Sequence, residues 1–372
     1  MEALYQKYDE KASKMAEVLP GGIAIHQATL QTKNEDRTAV FQFEHGTIIA
    51  IFDGHYSSEL SEFASKTLPL MLSERIEENV DVEAVMTQTI EEFDRSLLSK
   101  VTELFDPDED WSGERWLDRG NIHEVIGYGQ QDVQFRAGRR AIVGATALIG
   151  FIDKEREQLW VASLGDSDAV CGRMKNGKWI PTILSDRHNC KNMKEVDRLG
   201  REHPNEQNLV VGNRILGLLA VTRALGDHQF KAPFFLASRV MSYFYPSYIL
   251  DIAFEDWERD GHLNPPYLSS TPVVCRHDLL PGDMLVFASD GLRDSMDPQI
   301  PEADRWDIII SLANGADHVQ LGHPCIQPMD GDNAAERVIK NVLFGTDIEK
   351  MAKELDDACE RDDISVVVVN FE

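Results

Sequence analysis

The stretch TIIAIFDGHYSS (residues 47–58) joins an apolar run, suited to a buried β-strand, directly to Asp53, Gly54 and His55. Asp-Gly is a common turn dipeptide, so one interpretation is an ordinary chain reversal. A carboxylate, a glycine and an imidazole at the end of a buried strand are also typical of the rim of a reactive site. The rest of the chain has to decide between the two.

Apolar runs next to aspartates recur along the chain. The runs are short and rich in Val, Ile and Phe, which is typical of strands rather than of long helices. They are TALIGFID (146–153), EQLWVASLG (157–165, before Asp166), DMLVFAS (283–289, before Asp290) and ISVVVVNF (364–371, after Asp362 and Asp363). The first two of these runs predict a hairpin.

Segments with helical periodicity lie between the strand blocks, and a serine precedes the first of them as a predicted N-cap. They cover residues 57–76, 82–105, 192–200, 303–313, 333–344 and 347–359. This alternation in blocks predicts an α+β fold, with helices on the faces of mainly antiparallel sheets. Two regions, 106–140 and 228–270, lie outside the alternation, and their simplest interpretation is surface loop. Because no linker or repeat is visible, we expect one domain over residues 1–372.

Composition limits the classes of partner. The chain of 372 residues has a formal net charge of −27, which disfavours nucleic acid and anionic membrane surfaces. Its five cysteines are widely spaced, which is typical of a reducing compartment. No apolar run approaches the ~20 residues of a membrane span, and the N-terminal segment resembles neither a signal peptide nor a transit peptide. We expect a cytoplasmic monomer, or a mitochondrial-matrix protein if a presequence has been removed.

The carboxylates at the strand ends together predict a metal site. If these ends meet, a bound cation must neutralise them, because no matching set of Lys or Arg lies nearby in sequence. Oxygen ligands favour Mg²⁺ or Mn²⁺, and no His/Cys cluster has the spacing of a zinc site. Two such ions activate a water and polarise a phosphoryl group. The candidate ligands are Glu35, Asp36, Asp53, Asp166, Asp290, Asp294 and Asp362.

Seven short motifs then point to one family. In order, they are NEDR (34–37), FDGHYSS (52–58), GATA (144–147), SLGDSDA (163–169), VTRALGD (221–227), ASDGLRD (288–294) and RDDISVVVV (361–369). In this order and strand context the chain resembles the metal-dependent serine/threonine protein phosphatases of type 2C. The resemblance implies a central antiparallel β-sandwich flanked by helices, in α-β-β-α layers. It also implies hydrolysis of phosphoserine and phosphothreonine by direct attack of a metal-bound water at a binuclear Mg²⁺/Mn²⁺ site.

The resemblance further implies a role for each residue around the central aspartate. It implies that Asp53 bridges both ions and that the carbonyl of Gly54 ligates one of them. Asp290 and Asp362 would complete the ligands of one ion.

For the second ion, the resemblance implies Glu35 and Asp36 as ligands, partly through water. A third, weaker ion would use Asp166 and Asp294. His55 matches the general acid proposed for the family, and an imidazole pKa near 6.5 suits proton donation to a leaving alkoxide.

Within the family, the chain is most similar to the catalytic subunit of pyruvate dehydrogenase phosphatase. The similar runs are EHPNEQNLVVGNRILGLLAVTRALGDHQFK (202–231), which corresponds to the flap, PPYLSSTPVV (265–274) and DNAAERVIKNVLFG (332–345). This resemblance implies a phosphoprotein substrate, with the pyruvate dehydrogenase complex as the leading expectation. It also implies a flap region at about 186–270 and an insertion at about 106–140.

Three positions depart from the family pattern. Many members hold the substrate phosphate with an Arg where this chain has Gln31, so Lys33 or Arg37 is expected to compensate. Asp168 replaces the Arg of a Gly-Asp-Ser-Arg motif, and Arg187 replaces the Asp of an Asp-His motif in the flap. These departures leave two alternatives open: a pseudophosphatase that acts as a binding or scaffold module, and a hydrolase of small phosphate esters.

Overall fold

The computed structural model describes residues 2–19, 22–104, 125, 133–244, 248–356 and 361–371, and the structural statements below concern these ranges. In chain order, the strands are β1 (Ala12–Leu19), β2 (Ile23–Leu30), β3 (Arg37–Phe43), β4 (Gly46–Phe52), β5 (Gly54–His55), β6 (Gly144–Ala145), β7 (Ala147–Asp153), β8 (Gln158–Leu164), β9 (Asp168–Lys175), β10 (Lys178–Ile183), β11 (Val210–Val211), β12 (Arg214–Ile215), β13 (Leu225–Gly226), β14 (Val273–Asp278), β15 (Met284–Ala288) and β16 (Ile364–Phe371).

These strands form two large sheets and two small ones. The first large sheet has the order β1-β2-β16-β15-β9-β10, and the second has the order β14-β8-β7-β4-β3. The small sheets are β13-β6-β5 and the hairpin β11-β12. Neighbouring strands in every sheet are antiparallel. The predicted hairpin is the pair β7-β8.

Helices cover the outer face of each large sheet. In chain order, they are α1 (Glu2–Lys11), α2 (Glu59–Ser73), α3 (Val82–Thr102), α4 (Val133–Ile142), α5 (Met193–Glu202), α6 (Tyr248–Asp260), α7 (Asp290–Asp294), α8 (Glu302–Ala313), α9 (Ala334–Leu343) and α10 (Ile348–Glu354). Short helical turns occupy Phe234–Leu236, Ala237–Met241 and Ser242–Phe244, and single 3₁₀ turns occupy His228–Phe230 and Val319–Leu321.

Three apolar cores separate four layers. One core lies between the two sheets and includes Ile49 of β4 and Val367 of β16. A second lies between the β3–β4 sheet and helices α2 and α3, and a third lies between the β2–β16 sheet and helices α8 and α9. Strands β4 and β16 are buried on both faces, which explains why their sequences are continuous apolar runs. The predicted α+β sandwich in α-β-β-α layers is confirmed.

Two details of the sequence analysis are wrong. Region 228–270 is not a surface loop, because most of the described side chains of its aromatic residues, such as Phe230 and Trp257, are buried in the core beside α2 and α3. Ser58 precedes α2 without capping it through its side chain, and Ser57 Oγ instead accepts a hydrogen bond from the Glu59 amide at 3.2 Å. Of the predicted insertion 106–140, only residues 125 and 133–140 lie within the described residues.

Candidate metal centre and active site

The loop between β2 and β3 is shaped by one carboxylate from the other end of the chain. Both oxygens of Asp363 accept backbone hydrogen bonds from this loop, although Thr32 and Asp363 are 331 residues apart in sequence. The donors are the amides of Thr32 (2.5 Å), Lys33 (2.8 Å), Asn34 (3.3 Å), Glu35 (2.6 Å) and Asp36 (3.2 Å). Burial opposes ionisation of Asp363, but these bonds outweigh it and hold its pKa below the usual value. Asp363 therefore positions the predicted ligands Glu35 and Asp36.

Asp36 is buried with an unsatisfied oxygen. Only 2% of the residue is exposed, and among the described residues its Oδ2 has no hydrogen-bond partner. Burial, followed by the charge of Asp363, raises its pKa to about 7, while hydrogen bonds with Ser289 and Ser365 act in the opposite direction. A buried carboxylate oxygen without a donor is costly unless a ligand satisfies it.

Asp53 occupies the centre of the carboxylates. It follows β4, and its carbonyl accepts a hydrogen bond from the Thr146 amide at 2.8 Å. Burial raises its pKa well above the usual value, and the next contributions come from Asp36, Asp290, Asp166 and Asp362. The strand ends therefore meet, as the sequence predicted, and the largest electrostatic influences on Asp53 all come from other carboxylates.

Gly54 allows the two loops to approach closely. A Cβ atom at this position would lie 2.7 Å from the carbonyl oxygen of Glu35, closer than real Cβ contacts. The absence of a side chain therefore lets the Asp53–Gly54 turn pack against the loop that carries Glu35 and Asp36.

Three further candidate ligands are Asp290, Asp166 and Asp294. Burial, then the charges of Asp166 and Asp294, raise the pKa of Asp290, the first residue of α7. Burial also raises the pKa of Asp166, although Asn189 Nδ2 donates to its Oδ2 at 3.0 Å. Asp294 is exposed and pairs with Arg293 at 3.0 Å.

This donor set fits hard divalent cations. Several carboxylates converge on Asp53, they raise one another's pKa, and Asp36 keeps an oxygen without a donor. Oxygen-only ligands of this kind suit Mg²⁺ or Mn²⁺, whose charge removes the repulsion. Of the predicted ligands, Asp36, Asp166, Asp290 and Asp362 are the ones that raise the pKa of Asp53.

His55 is bonded to a residue that the sequence analysis did not assign. Its Nε2 lies 2.6 Å from Oδ2 of Asp227, whose side chain is fully buried. Burial lowers the pKa of His55, but the charge and hydrogen bond of Asp227 outweigh burial and raise the pKa overall. Asp227 has a positive φ of 51° and its Oδ1 accepts from Gln229 at 3.1 Å. Asp227 therefore stabilises the cationic form of His55.

The three predicted phosphate-binding residues have different surroundings. Lys33 Nζ lies 3.1 Å from Asp362 Oδ2, at the edge of the carboxylate group. Arg37 pairs with Glu62 of α2 and also donates to the Asp36 carbonyl at 2.7 Å, so its cation is already engaged. Gln31 is half-buried, and its backbone N–H donates to the Lys11 carbonyl at 2.9 Å. Of the two cations, Lys33 is the one that faces the candidate metal ligands.

Two of the three departures from the family pattern contact each other. Arg187 donates to both oxygens of Asp168, from Nε at 2.8 Å and from Nη2 at 2.9 Å. Arg293 Nη1 donates to the same carboxylate at 2.6 Å, and it also donates to the Asp166 carbonyl at 3.3 Å. The two departures therefore form an ion pair with each other. We call Asp168, Arg187 and Arg293 the arginine clamp.

Among the described residues, the group whose ligand atoms all lie within 4.8 Å of one another is Cys171, His277 and Asp283, elsewhere in the sandwich, so the carboxylates around Asp53 are spaced more widely. Arg173 donates to both carboxylate oxygens of Asp283, at 2.7 and 2.6 Å, so this carboxylate already has a counter-charge. Burial raises the pKa of the Cys171 thiol to about 12, which disfavours the thiolate that metals bind.

The sequence analysis missed the residues that orient the predicted ligands. Asp227 ends the motif VTRALGD and Asp363 ends RDD, so both stood inside motifs that had been recognised. Their partners are His55 and the loop before β3, which are remote in sequence. The sequence offered one signal for each of them, namely an aspartate inside a recognised motif that had no assigned role.

The sequence matches a known protein family. The family model for protein phosphatase 2C matches residues 123–300. Over 285 residues the chain is 34% identical to human pyruvate dehydrogenase (acetyl-transferring)-phosphatase 1, mitochondrial, and the match covers 68% of this chain and 52% of that protein. The chain belongs to the protein phosphatase 2C family. It spans about half the length of that relative.

Other phosphatase 2C relatives are more distant. Human pyruvate dehydrogenase (acetyl-transferring)-phosphatase 2, mitochondrial, is 32% identical over 259 residues, and the match covers 62% of this chain and 48% of that protein. Probable protein phosphatase 2C 42 of Arabidopsis thaliana is 29% identical over 269 residues, covering 69% of this chain and 58% of that protein.

Solved structures support the fold. A phosphatase from Toxoplasma gondii superposes with a TM-score of 0.58 at 18% identity, over 97% of this chain and 96% of that chain. A sex-determining protein of C. elegans gives 0.53 at 19% identity, over 97% of this chain and 64% of that chain. Among the described residues, no helix of this chain is both long enough and apolar enough to span a membrane.

Proposed function

We propose that this chain is a metal-dependent protein serine/threonine phosphatase that uses Mg²⁺ or Mn²⁺. The observation that carries the proposal is the group of carboxylates around Asp53, which repel one another and leave Asp36 with an unsatisfied oxygen. Bound divalent cations would lower the pKa of a coordinated water and polarise the phosphoryl group. Membership of the family supports this reading, in which all of residues 1–372 serve one catalytic domain.

We assign the ligands as the family resemblance implies. Asp53 would hold two ions, and the Gly54 carbonyl, Asp290 and Asp362 would hold one of them. The close packing at Gly54 and the raised pKa of Asp290 support this assignment.

Glu35 and Asp36, whose loop Asp363 holds in place, would hold the second ion. Asp166 and Asp294 would hold a third, weaker ion, and their joint effect on the pKa of Asp290 supports their proximity to that carboxylate.

His55 supplies the proton for the leaving group. Its Nε2 is engaged by Asp227, so Nδ1 is the atom that transfers a proton to the alkoxide of serine or threonine. Asp227 fixes the orientation of the ring and keeps it protonated. Lys33 assists by attracting the substrate phosphate, and Gln31 and Arg37 contribute hydrogen bonds at the edge of the site.

The substrate is a phosphoprotein, and we propose the pyruvate dehydrogenase complex, acted on by a monomer in the mitochondrial matrix. The support is that curated relatives at 34% and 32% identity are named mitochondrial phosphatases of pyruvate dehydrogenase. Dephosphorylation of the purified phosphorylated complex, compared with an unrelated phosphoprotein of similar charge, tests the substrate. Equal rates on the two proteins would contradict it.

Hydrolysis of a phosphothreonine peptide by the purified chain, with and without Mn²⁺, tests the activity itself. Absence of turnover, or turnover that Asp53→Asn leaves unchanged, would refute the proposal. Calorimetric titration with Mn²⁺ distinguishes the pseudophosphatase alternative, in which a decayed site binds no metal. A higher kcat/KM for small phosphate esters than for phosphopeptides would instead favour the small-ester alternative.

A further inference from the structure

A cavity of about 520 Å³ opens between the first turns of α2 and the outer face of α4. Four cationic side chains line it, against two carboxylates. The cations are Lys66, Arg136, Arg139 and Arg140, and the carboxylates are Glu59 and Glu62. We call this site the basic cavity. Its arginines belong to the RAGRR sequence (136–140), to which the proposed reaction assigns no role.

The charge of the basic cavity is opposite to that of the protein. The chain has a formal net charge of −27. Three other described cavities are lined by more carboxylates than Lys and Arg side chains, and a fourth has equal numbers. An excess of cations at one concave site therefore cannot follow from average composition, and it favours an anionic occupant.

Helix α4 is docked so that its arginines point towards the cavity. Gly138 lies against the Phe244 ring, where a Cβ atom would come within 2.1 Å of a ring carbon. Phe135 packs on the same ring with centroids 5.7 Å apart. These two residues form the buried side of the helix. Helix α4 is therefore packed against the core on one side and presents its arginines to the cavity on the other.

The cations differ in how far the cavity already satisfies them. Arg139 pairs with Glu59 at 3.0 Å, and the Arg140 guanidinium lies 4.1 Å from the centre of the Phe63 ring. Lys66 pairs with Glu62. Arg136 is exposed and forms no ion pair with any residue that the structure describes, so it has an unmet capacity for an anion.

The basic cavity is close to the proposed proton donor along the chain. Gly144 follows Arg140 by four positions and pairs with His55 across strands β5 and β6. A Cβ atom at Gly144 would lie 1.9 Å from Nε2 of His55. On the other wall, Ser57 follows His55 by two residues. A peptide whose phosphate sits beside His55 can therefore place a neighbouring segment in the cavity.

From this arrangement we propose that the basic cavity binds an acidic segment next to the phosphorylated residue of the protein substrate, and that Arg136 is a specificity determinant. The proposal rests on the proposed phosphatase function. Docking of this kind acts on substrate binding rather than on the chemical step, so it changes KM and leaves kcat nearly constant. It also weakens with salt, because the charges involved face solvent.

The test compares two phosphothreonine peptides that differ only in three Glu or three Gln residues beside the phosphorylated residue. The acidic peptide should have a kcat/KM about tenfold higher at low ionic strength, and about 0.5 M NaCl should remove the difference. Arg136→Glu should abolish the preference through KM. Arg201→Glu, the same charge reversal on exposed α5 outside the cavity, should retain it.

Equal kcat/KM for the two peptides in the wild-type protein would overturn the proposal, as would equal effects of Arg136→Glu and Arg201→Glu. These results leave the phosphatase function intact, because both peptides are still hydrolysed. If neither peptide is hydrolysed in the presence of Mn²⁺, the phosphatase function itself is refuted, so the two failures are distinguishable. A lysine-containing peptide gives an independent check, since Arg136→Glu should raise its kcat/KM.

Discussion

Two groups of aspartates lie close together in this protein and differ in their counter-charges. Around Asp53, the largest electrostatic influences come from other carboxylates, and they raise its pKa. In the arginine clamp, Asp168 is fully buried and accepts hydrogen bonds from both Arg187 and Arg293. Arg293 of the clamp also forms an ion pair with Asp294, one of the candidate metal ligands, so the two groups are in contact.

The contrast separates a ligand site from a structural ion pair. A carboxylate that is buried with its cation stabilises the fold only as long as both partners remain. Carboxylates that are buried together destabilise the fold until an external cation arrives. The same substitution, Asp to Asn, should therefore have opposite effects in the two groups.

The largest effect on stability is expected in the arginine clamp. Asp168→Asn removes the charge that Arg187 and Arg293 share, and the free energy of unfolding should fall by about 3 kcal/mol. Urea denaturation of the metal-free protein measures this. Asp186→Asn, at an exposed neighbouring position, is the matched control and should change stability by less than about 0.5 kcal/mol. Similar effects of the two variants would show that the clamp contributes little.

The largest effect on activity is expected at the centre of the other group. Asp53→Asn should lower kcat/KM for a phosphopeptide by more than about a hundredfold. Residues that only hydrogen-bond a metal ligand already change activity by about 10- to 100-fold when they are mutated, and a ligand itself should matter more. Steady-state kinetics with Mn²⁺ measure this loss. In the metal-free protein the same variant should be more stable than the wild type by about 1 kcal/mol, opposite in sign to Asp168→Asn. Destabilisation there would contradict the ligand-site interpretation.

The pH dependence of stability sharpens the comparison. The pKa of Asp36 is about 7 in the folded protein and near 3.8 when unperturbed. Folding therefore opposes ionisation of Asp36, and the cost in stability grows as the pH rises from about 4 to about 7. As the pH falls from about 7 towards 4, this penalty disappears and metal-free protein should gain stability relative to Asp36→Asn. Thermal unfolding of both proteins across this range measures the gain. Parallel curves would mean that Asp36 is not strained, and saturating Mg²⁺ should abolish the difference.

The smallest effect is a displaced pH profile. Asp227→Asn removes the charge that raises the pKa of His55, so the ring should lose its proton at lower pH. The alkaline limb of the kcat profile should then move to lower pH, if His55 is the general acid. Profiles of the wild type and the variant on one phosphopeptide measure the shift. A uniform loss of kcat without displacement would assign Asp227 a purely structural role.

Local pattern was sufficient to predict most of the fold. The run before Asp53 matches β4, and the run after Asp363 matches β16, because strands buried on both faces must be apolar throughout. Region 228–270 was misjudged because aromatic and proline-rich sequence carries no periodicity that distinguishes a buried layer from a loop. The candidate metal ligands were recognisable because all of them except Asp294 stand beside a strand.

Sequence alone thus determined which carboxylates are present at the strand ends and the family to which they belong. Only the tertiary structure decided which of them have a counter-charge. Asp168 and Asp53 look alike in sequence, yet one meets two arginines and the other meets carboxylates. Asp363 and Asp227 acquired roles only through partners that are remote along the chain. The physical reason is that charge compensation depends on distances of a few ångströms in space, which sequence separation does not encode.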